Sequence, residues 1–175
     1  MNKISVLVIF FQGIPESIAL MFLIFVLLRV PISWRKIMLL GIAEAVAVYL
    51  IRLLPVAFGV HTILLIVFAT ILIVYVTRED LLKVITSVLP AFFFLVFYEV
   101  VSFTVQMKII ELFIPGFSDS FYTVPTNTWV LIGLGLFHVM LMFITGSIIL
   151  HYRRKKQDKT LEKDLCSGNI SKNKG

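Results

Sequence analysis

The stretch VHTILLIVFATILIVYV, from about Val60 to Val76, decides the fold class, because it contains no aspartate, glutamate, lysine or arginine. A helix needs roughly 20 residues, with a range of about 17–25, to cross the hydrocarbon core of a bilayer. Four more apolar segments of similar length run from about Ile4 to Leu28, Ile37 to Leu54, Val84 to Met107 and Thr128 to Leu150. The sequence therefore predicts an all-α, polytopic membrane protein with about five transmembrane helices.

The composition agrees with this fold class. Hydrophobic residues make up 59% of the 175 residues, whereas a soluble domain is usually about 45–50% apolar because its surface must face water. The apolar residues are concentrated in the five segments, and polar residues dominate only near the C-terminus. We therefore predict a transmembrane helical domain over residues 1–152 and a basic cytoplasmic tail, largely disordered, over residues 153–175.

The distribution of lysine and arginine predicts the orientation of the helices, since these residues are enriched on the cytoplasmic side of a membrane. With the C-terminus inside, thirteen of the sixteen basic residues lie on the inner side, and only Lys3, Arg52 and Lys108 lie outside. We predict an outer N-terminus and an inner C-terminus. The net charge of +6 then suits the anionic inner leaflet, and no nucleic-acid partner is expected.

Ionisable side chains within apolar segments are candidate functional residues, because a charge at the centre of a membrane helix costs roughly 2.5–3.5 kcal/mol. Counted along the segments, those in the outer half of the membrane are Glu16, Arg52, His61 and Glu99. We predict that Arg52 pairs with Glu16 or Glu99, because a guanidinium group can hold a carboxylate by two hydrogen bonds. Two interpretations stay open: a structural ion pair joining three helices, or an outward-facing site that binds a ligand.

Two other ionisable residues within the segments receive structural interpretations. For Glu44 we favour a hydrogen bond to a neighbouring helix over a proton-coupling role, because the sequence shows no relay partner. For His138 we favour a hydrogen-bonded packing role among apolar neighbours. Gly41 and Ala45, on the same segment as Glu44, have the spacing of small residues that permits close approach of membrane helices.

The sequence contains no motif that supports catalysis. There is no Gly-x-Ser-x-Gly, no His-Glu-x-x-His, no Walker lysine loop and no Cys/His spacing typical of a metal site. The single cysteine, Cys166, lies in the polar tail and is interpreted as a bystander thiol. We therefore predict a protein that is not an enzyme and has no catalytic residue, metal site or cofactor.

Two stretches, Gln12–Leu20 (QGIPESIAL) and Tyr49–Ile63 (YLIRLLPVAFGVHTI), carry a family resemblance. They resemble the multi-helix membrane sensor regions of Gram-positive bacterial histidine kinases of the peptide quorum-sensing type, over roughly residues 4–80. Glu16, Arg52 and His61 lie within the matching stretches, and Glu99 does not. Such receptors continue into an ATP-binding kinase domain, whereas about 25 residues follow the last apolar segment here. The resemblance implies a sensor region without its kinase.

We therefore expect a non-enzymatic, sensor-like or regulatory component of signal transduction in a bacterial cell membrane. Its expected partners are the lipid bilayer and a membrane kinase or another membrane protein. One alternative is the substrate-binding membrane subunit of a small-molecule transporter. Another is an accessory protein that stabilises a different membrane complex.

Overall fold

The computed structural model describes residues 9–53, 58–113 and 128–172, which are helical apart from short connections. A π-helical stretch, Ile9–Gly13, leads into the first of five α-helices. We number these helices α1 to α5, and they span Ile14–Leu28, Trp34–Arg52, Phe58–Thr77, Leu81–Phe113 and Thr128–Lys172. The predicted all-α class is confirmed for the described residues.

Four of the helical segments are long and apolar enough to cross a membrane: Phe11–Leu28, Val60–Thr77, Leu81–Ser102 and Gly135–Lys156. Helix α2 corresponds to the second predicted segment but is more polar, because it carries Arg35, Lys36, Glu44 and Arg52. Helix α5 continues without a break to Lys172. Residues 153–172, for which the sequence predicts a largely disordered tail, are therefore helical in the structure.

Helix α1 occupies the centre of the bundle. It contacts α2, α4 and α5, while α3 contacts α2 and α4. Every residue from Ala19 to Val26 is buried, because α1 is apolar on all sides and neighbouring helices cover those sides. The other helices expose large apolar side chains, such as Leu39 of α2, Phe93 of α4 and Met140 of α5. Such an apolar outer surface is compatible with a multi-pass membrane protein.

The connections after α1 and α3 are short and begin with arginines in an unusual backbone conformation. Arg29 and Arg78 have φ angles of 65° and 55°, in the left-handed region. This conformation commonly ends helices, because it turns the chain while hydrogen bonds still reach the last carbonyls. The backbone N–H of Arg78, for example, donates to the carbonyl of Val74 at 2.8 Å. Each turn reverses the chain, so α1 and α2, like α3 and α4, lie side by side.

Several threonine hydroxyl groups bond to the backbone of their own helix. The side chains of Thr70, Thr104 and Thr145 each donate to a carbonyl four residues earlier. The hydroxyl of Tyr98 on α4, by contrast, lies 2.6 Å from that of Thr145 on α5. This hydrogen bond joins two helices at a partly buried position.

We expect Tyr98→Phe to lower the free energy of unfolding by about 0.6 kcal/mol, the average found for hydrogen bonds between membrane helices. The substitution removes the hydroxyl and leaves the ring in place, so it tests the contact with Thr145 alone. Tyr75→Phe is the matched control, since Tyr75 is 82% exposed. Detergent titration of the protein in lipid–detergent micelles measures both changes. Equal effects of the two substitutions would contradict the assignment.

Candidate functional site

Helices α1 and α5 run parallel and approach closely through glycines of α5. Gly135 lies against the side chain of Gln12, and a Cβ atom at Gly146 would come within 2.6 Å of the Phe22 ring. From Gln12 to Phe22 is ten residues, and from Gly135 to Gly146 is eleven, so the two chains advance in the same direction by nearly the same length. This is expected of parallel neighbouring helices. The side chains between these two contacts face each other across the interface.

Glu16 and His138 meet in this interface. The Oε2 atom of Glu16 lies 3.7 Å from Nε2 of His138. The His138 side chain is 4% exposed and the Glu16 side chain 24% exposed, so the pair has one buried and one accessible member. Nε2 of His138 has no hydrogen-bond partner among the described residues. Gln12, in the π-helical stretch before α1, adds a carboxamide group beside Gly135 of α5.

This arrangement suits binding more than chemistry. A carboxylate can attract a cationic or hydrogen-bond-donating group, while the imidazole offers a donor or an acceptor according to its protonation state. Among the described residues, no three His, Cys, Asp or Glu side chains gather in a way that could hold a metal ion. The site is therefore a half-buried polar pair in an otherwise apolar interface, accessible through Glu16.

The other predicted site residues occupy different positions. Glu99 is exposed on α4, next to Tyr98. Tyr98 contacts Thr145 of α5, and Thr145 is seven residues, or about 10 Å, from His138 along that helix. Glu99 therefore lies at a different level of the bundle from the Glu16–His138 pair. His61 is partly buried in the first turns of α3, a helix whose backbone approaches only α2 and α4 among the described residues. Arg52 ends α2, and its side chain lies outside the described part of the chain. The predicted pairing of Arg52 thus stays a prediction, whereas Glu16 contacts His138.

A second contact joins α1 and α5 at the opposite end of α1. The guanidinium group of Arg153 on α5 donates to the backbone carbonyl of Val26. Val26 lies in the last turn of α1, where carbonyl groups lack partners within the helix. The positive charge also interacts favourably with the helix dipole at that end. Along α5, His138 and Arg153 are fifteen residues apart, which corresponds to about 22 Å.

We expect Arg153→Ala to lower the free energy of unfolding by about 1–2 kcal/mol, because it removes a hydrogen bond that involves a charged donor. Arg154→Ala is the matched control, since Arg154 is exposed and should change stability by less than about 0.5 kcal/mol. Both variants lose one positive charge, so an effect on membrane orientation would be common to them. Amide hydrogen exchange at the end of α1 checks the prediction, and faster exchange in both variants would contradict it.

Comparison with known proteins identifies no relative: no protein-family model, no curated protein and no solved structure matches this chain.

Proposed function

We propose that this protein is a non-enzymatic, sensor-like component of signal transduction in a cell membrane, with the Glu16–His138 pair as its ligand-responsive site. The observation that carries the proposal is the double connection between α1 and α5, through Glu16–His138 and through Val26–Arg153. A ligand that separates Glu16 from His138 would shift α5 relative to α1. Because α5 is one continuous helix, the shift would reach Arg153 and the residues beyond it.

The basic part of α5 is the output of the proposed mechanism. Tyr152, Arg154, Lys155, Lys156 and Lys159 are exposed there, and a helix that continues to Lys172 offers a partner a rigid surface. A membrane kinase or another signalling protein is the proposed partner. The resemblance of Gln12–Leu20 and Tyr49–Ile63 to kinase sensor regions supports the same interpretation. An anionic leaflet would hold the first basic residues close to the membrane.

The proposed topology has five spans, with an outer N-terminus and an inner C-terminus. Helix α2 qualifies as the fifth span because its charges are placed where a membrane tolerates them. Arg35 and Lys36 lie at its start, Arg52 at its end, and Glu44 is buried inside the protein. The side of α2 that faces outward is apolar, with Met38, Leu39, Ile42, Val46 and Leu50 exposed.

The single cysteine, Cys166, allows the orientation to be tested in the unmodified protein. A membrane-impermeant maleimide should label Cys166 only after the cells are permeabilised. The matched control places the cysteine at the exposed end of α4, as Lys108→Cys in a Cys166→Ser background, where intact cells should be labelled. Labelling of Cys166 in intact cells would overturn the proposed orientation.

Capture of the partner tests the function itself. The protein is crosslinked in native membranes, purified through a C-terminal tag and examined by mass spectrometry. Recovery of a histidine kinase or a response regulator would support the sensor proposal. Recovery of an ATPase or another transporter subunit would favour the alternative of a transport component. A Glu16→Gln variant should change the amount of partner recovered, whereas Glu99→Gln, on the exposed side of α4, should not.

A further inference from the structure

Glu44 is a deeply buried ionisable residue that does not belong to the Glu16–His138 pair. It is 1% exposed, and neither of its carboxyl oxygens has a hydrogen-bond partner in the described part of the chain. The predicted hydrogen bond from Glu44 to a neighbouring helix is therefore not found among the described residues. A group of this kind needs a physical explanation, because buried polar atoms almost always have partners.

Glu44 lies beside a close approach of helices α1 and α2. One turn earlier on α2, a Cβ atom at Gly41 would lie 2.7 Å from the Ile18 side chain of α1. Because α1 and α2 are antiparallel, Glu44 comes level with the first turn of α1, near Pro15. Proline has no backbone N–H, so this turn of α1 offers one donor fewer to a carboxylate.

Glu16 and His138 are not hydrogen-bond partners of Glu44, because they lie on another side of α1. Glu16 and Ile18 are two residues apart, which places them about 160° apart around the axis of α1. Ile18 faces α2 and Glu16 faces α5. The two carboxyl groups therefore lie at a similar level but on opposite sides of the central helix.

The chemistry of the site identifies its ligand. An ionised carboxylate without partners in an apolar interface is strongly unfavourable, whereas the neutral acid is far better tolerated. A calcium or magnesium ion requires about six oxygen ligands, and Glu44 belongs to no cluster of three His, Cys, Asp or Glu side chains among the described residues. A proton requires only the carboxyl group itself. We infer that Glu44 is a proton-binding site, occupied when α1 and α2 are packed together, and that loss of the proton separates these helices.

Ionisable groups other than Glu44 are present on α2 itself and on two of the elements that contact it. The helices and the π-helical stretch that contact α2 are α1, α3 and Ile9–Gly13, and the last of these contains no ionisable residue. Helix α1 carries Glu16 and is followed directly by Arg29, and α3 carries His61 and Tyr75. The ionisable residues of α2 besides Glu44 are Arg35, Lys36, Tyr49 and Arg52. His61 and Arg52 are the cations toward the same end of the bundle, and Arg52 is eight residues, about 12 Å, from Glu44 along α2.

Infrared spectroscopy of the full chain in lipid nanodiscs tests this inference, because a protonated carboxyl group has a C=O stretching band that a carboxylate lacks. The wild-type protein should show this band at neutral pH, and the band should persist under mildly alkaline conditions. Glu44→Gln and Glu44→Met should both abolish it. The matched control is Glu99→Gln, which removes an exposed carboxyl group and should leave the band unchanged.

If the substitutions of Glu44 prevent folding, a variant that retains Glu44 still tests the inference. The double variant Asp80→Asn/Glu99→Gln, which removes two exposed carboxyl groups, should keep the band at full intensity, and raising the pH until the band disappears should accelerate hydrogen exchange in α2. Absence of the band in the wild-type protein would overturn the inference. So would its loss in the double variant, or its persistence in Glu44→Gln. None of these outcomes depends on whether the protein is a sensor.

Discussion

A Gly41→Ala substitution is expected to lower the free energy of unfolding by about 1–3 kcal/mol, the usual range for overpacking. The expected loss of stability is opposite to the usual effect, because alanine ordinarily stabilises a helix relative to glycine. A Cβ atom at residue 41 would lie 2.7 Å from Cγ1 and 2.9 Å from Cα of Ile18. Since one of these neighbours is a backbone atom, a rotation of the Ile18 side chain cannot relieve the contact. Helices α1 and α2 would have to move apart.

Gly133→Ala is the matched control for this prediction. Gly133 is exposed on α5, and a Cβ atom there would meet no other atom within 4 Å. The same chemical change should therefore raise stability by up to about 1 kcal/mol through helix propensity alone. Detergent titration of both variants in lipid–detergent micelles measures the two changes. A shift of the same sign and size in both would show that α1 and α2 do not approach as closely as described.

Breaking the Glu16–His138 pair should have the second large effect. Glu16→Gln is expected to lower the free energy of unfolding by about 1–3 kcal/mol, because it removes the interaction between the carboxyl group and the imidazole 3.7 Å away. The loss should lie below that of a fully buried pair, about 3–5 kcal/mol, since Glu16 is 24% exposed. The same variant should change the proposed ligand-induced shift of α5, because the Glu16–His138 pair is one of the two connections between α5 and α1.

A double-mutant cycle separates the pair from the individual residues. Glu16→Gln, His138→Gln and the double variant should give a coupling energy of about 0.5–2 kcal/mol, as expected for residues in contact. Glu99→Gln combined with His138→Gln is the control cycle, and its coupling energy should be close to zero because Glu99 is exposed on another helix. Coupling of similar size in both cycles would mean that the effect of Glu16 is not carried by its contact with His138.

Part of the candidate site follows from the sequence. The sequence predicts a site role for Glu16 because a carboxylate in an apolar segment is costly, and in the structure Glu16 contacts His138. For His138 the apolar neighbours in the sequence favour a packing role, although the spacing of residues contains a signal for its contact with Glu16. In a five-span topology α1 and α5 are parallel, and the spacing of Gln12 and Glu16 is similar to that of Gly135 and His138. Counting equal distances along two parallel helices brings these residues to one level.

Sequence alone determined the helical class, the approximate limits of the apolar segments and the concentration of positive charge toward one end of the bundle. Each follows from local composition, because burial in lipid and the length of a helix are properties of consecutive residues. Only the tertiary structure decided that α1 is central, that Glu16 faces His138 and that Glu44 is enclosed beside Gly41. A helix such as α1 that is apolar on every side carries no periodic signal of which face meets which neighbour. The rotation of each helix about its axis is therefore decided by packing.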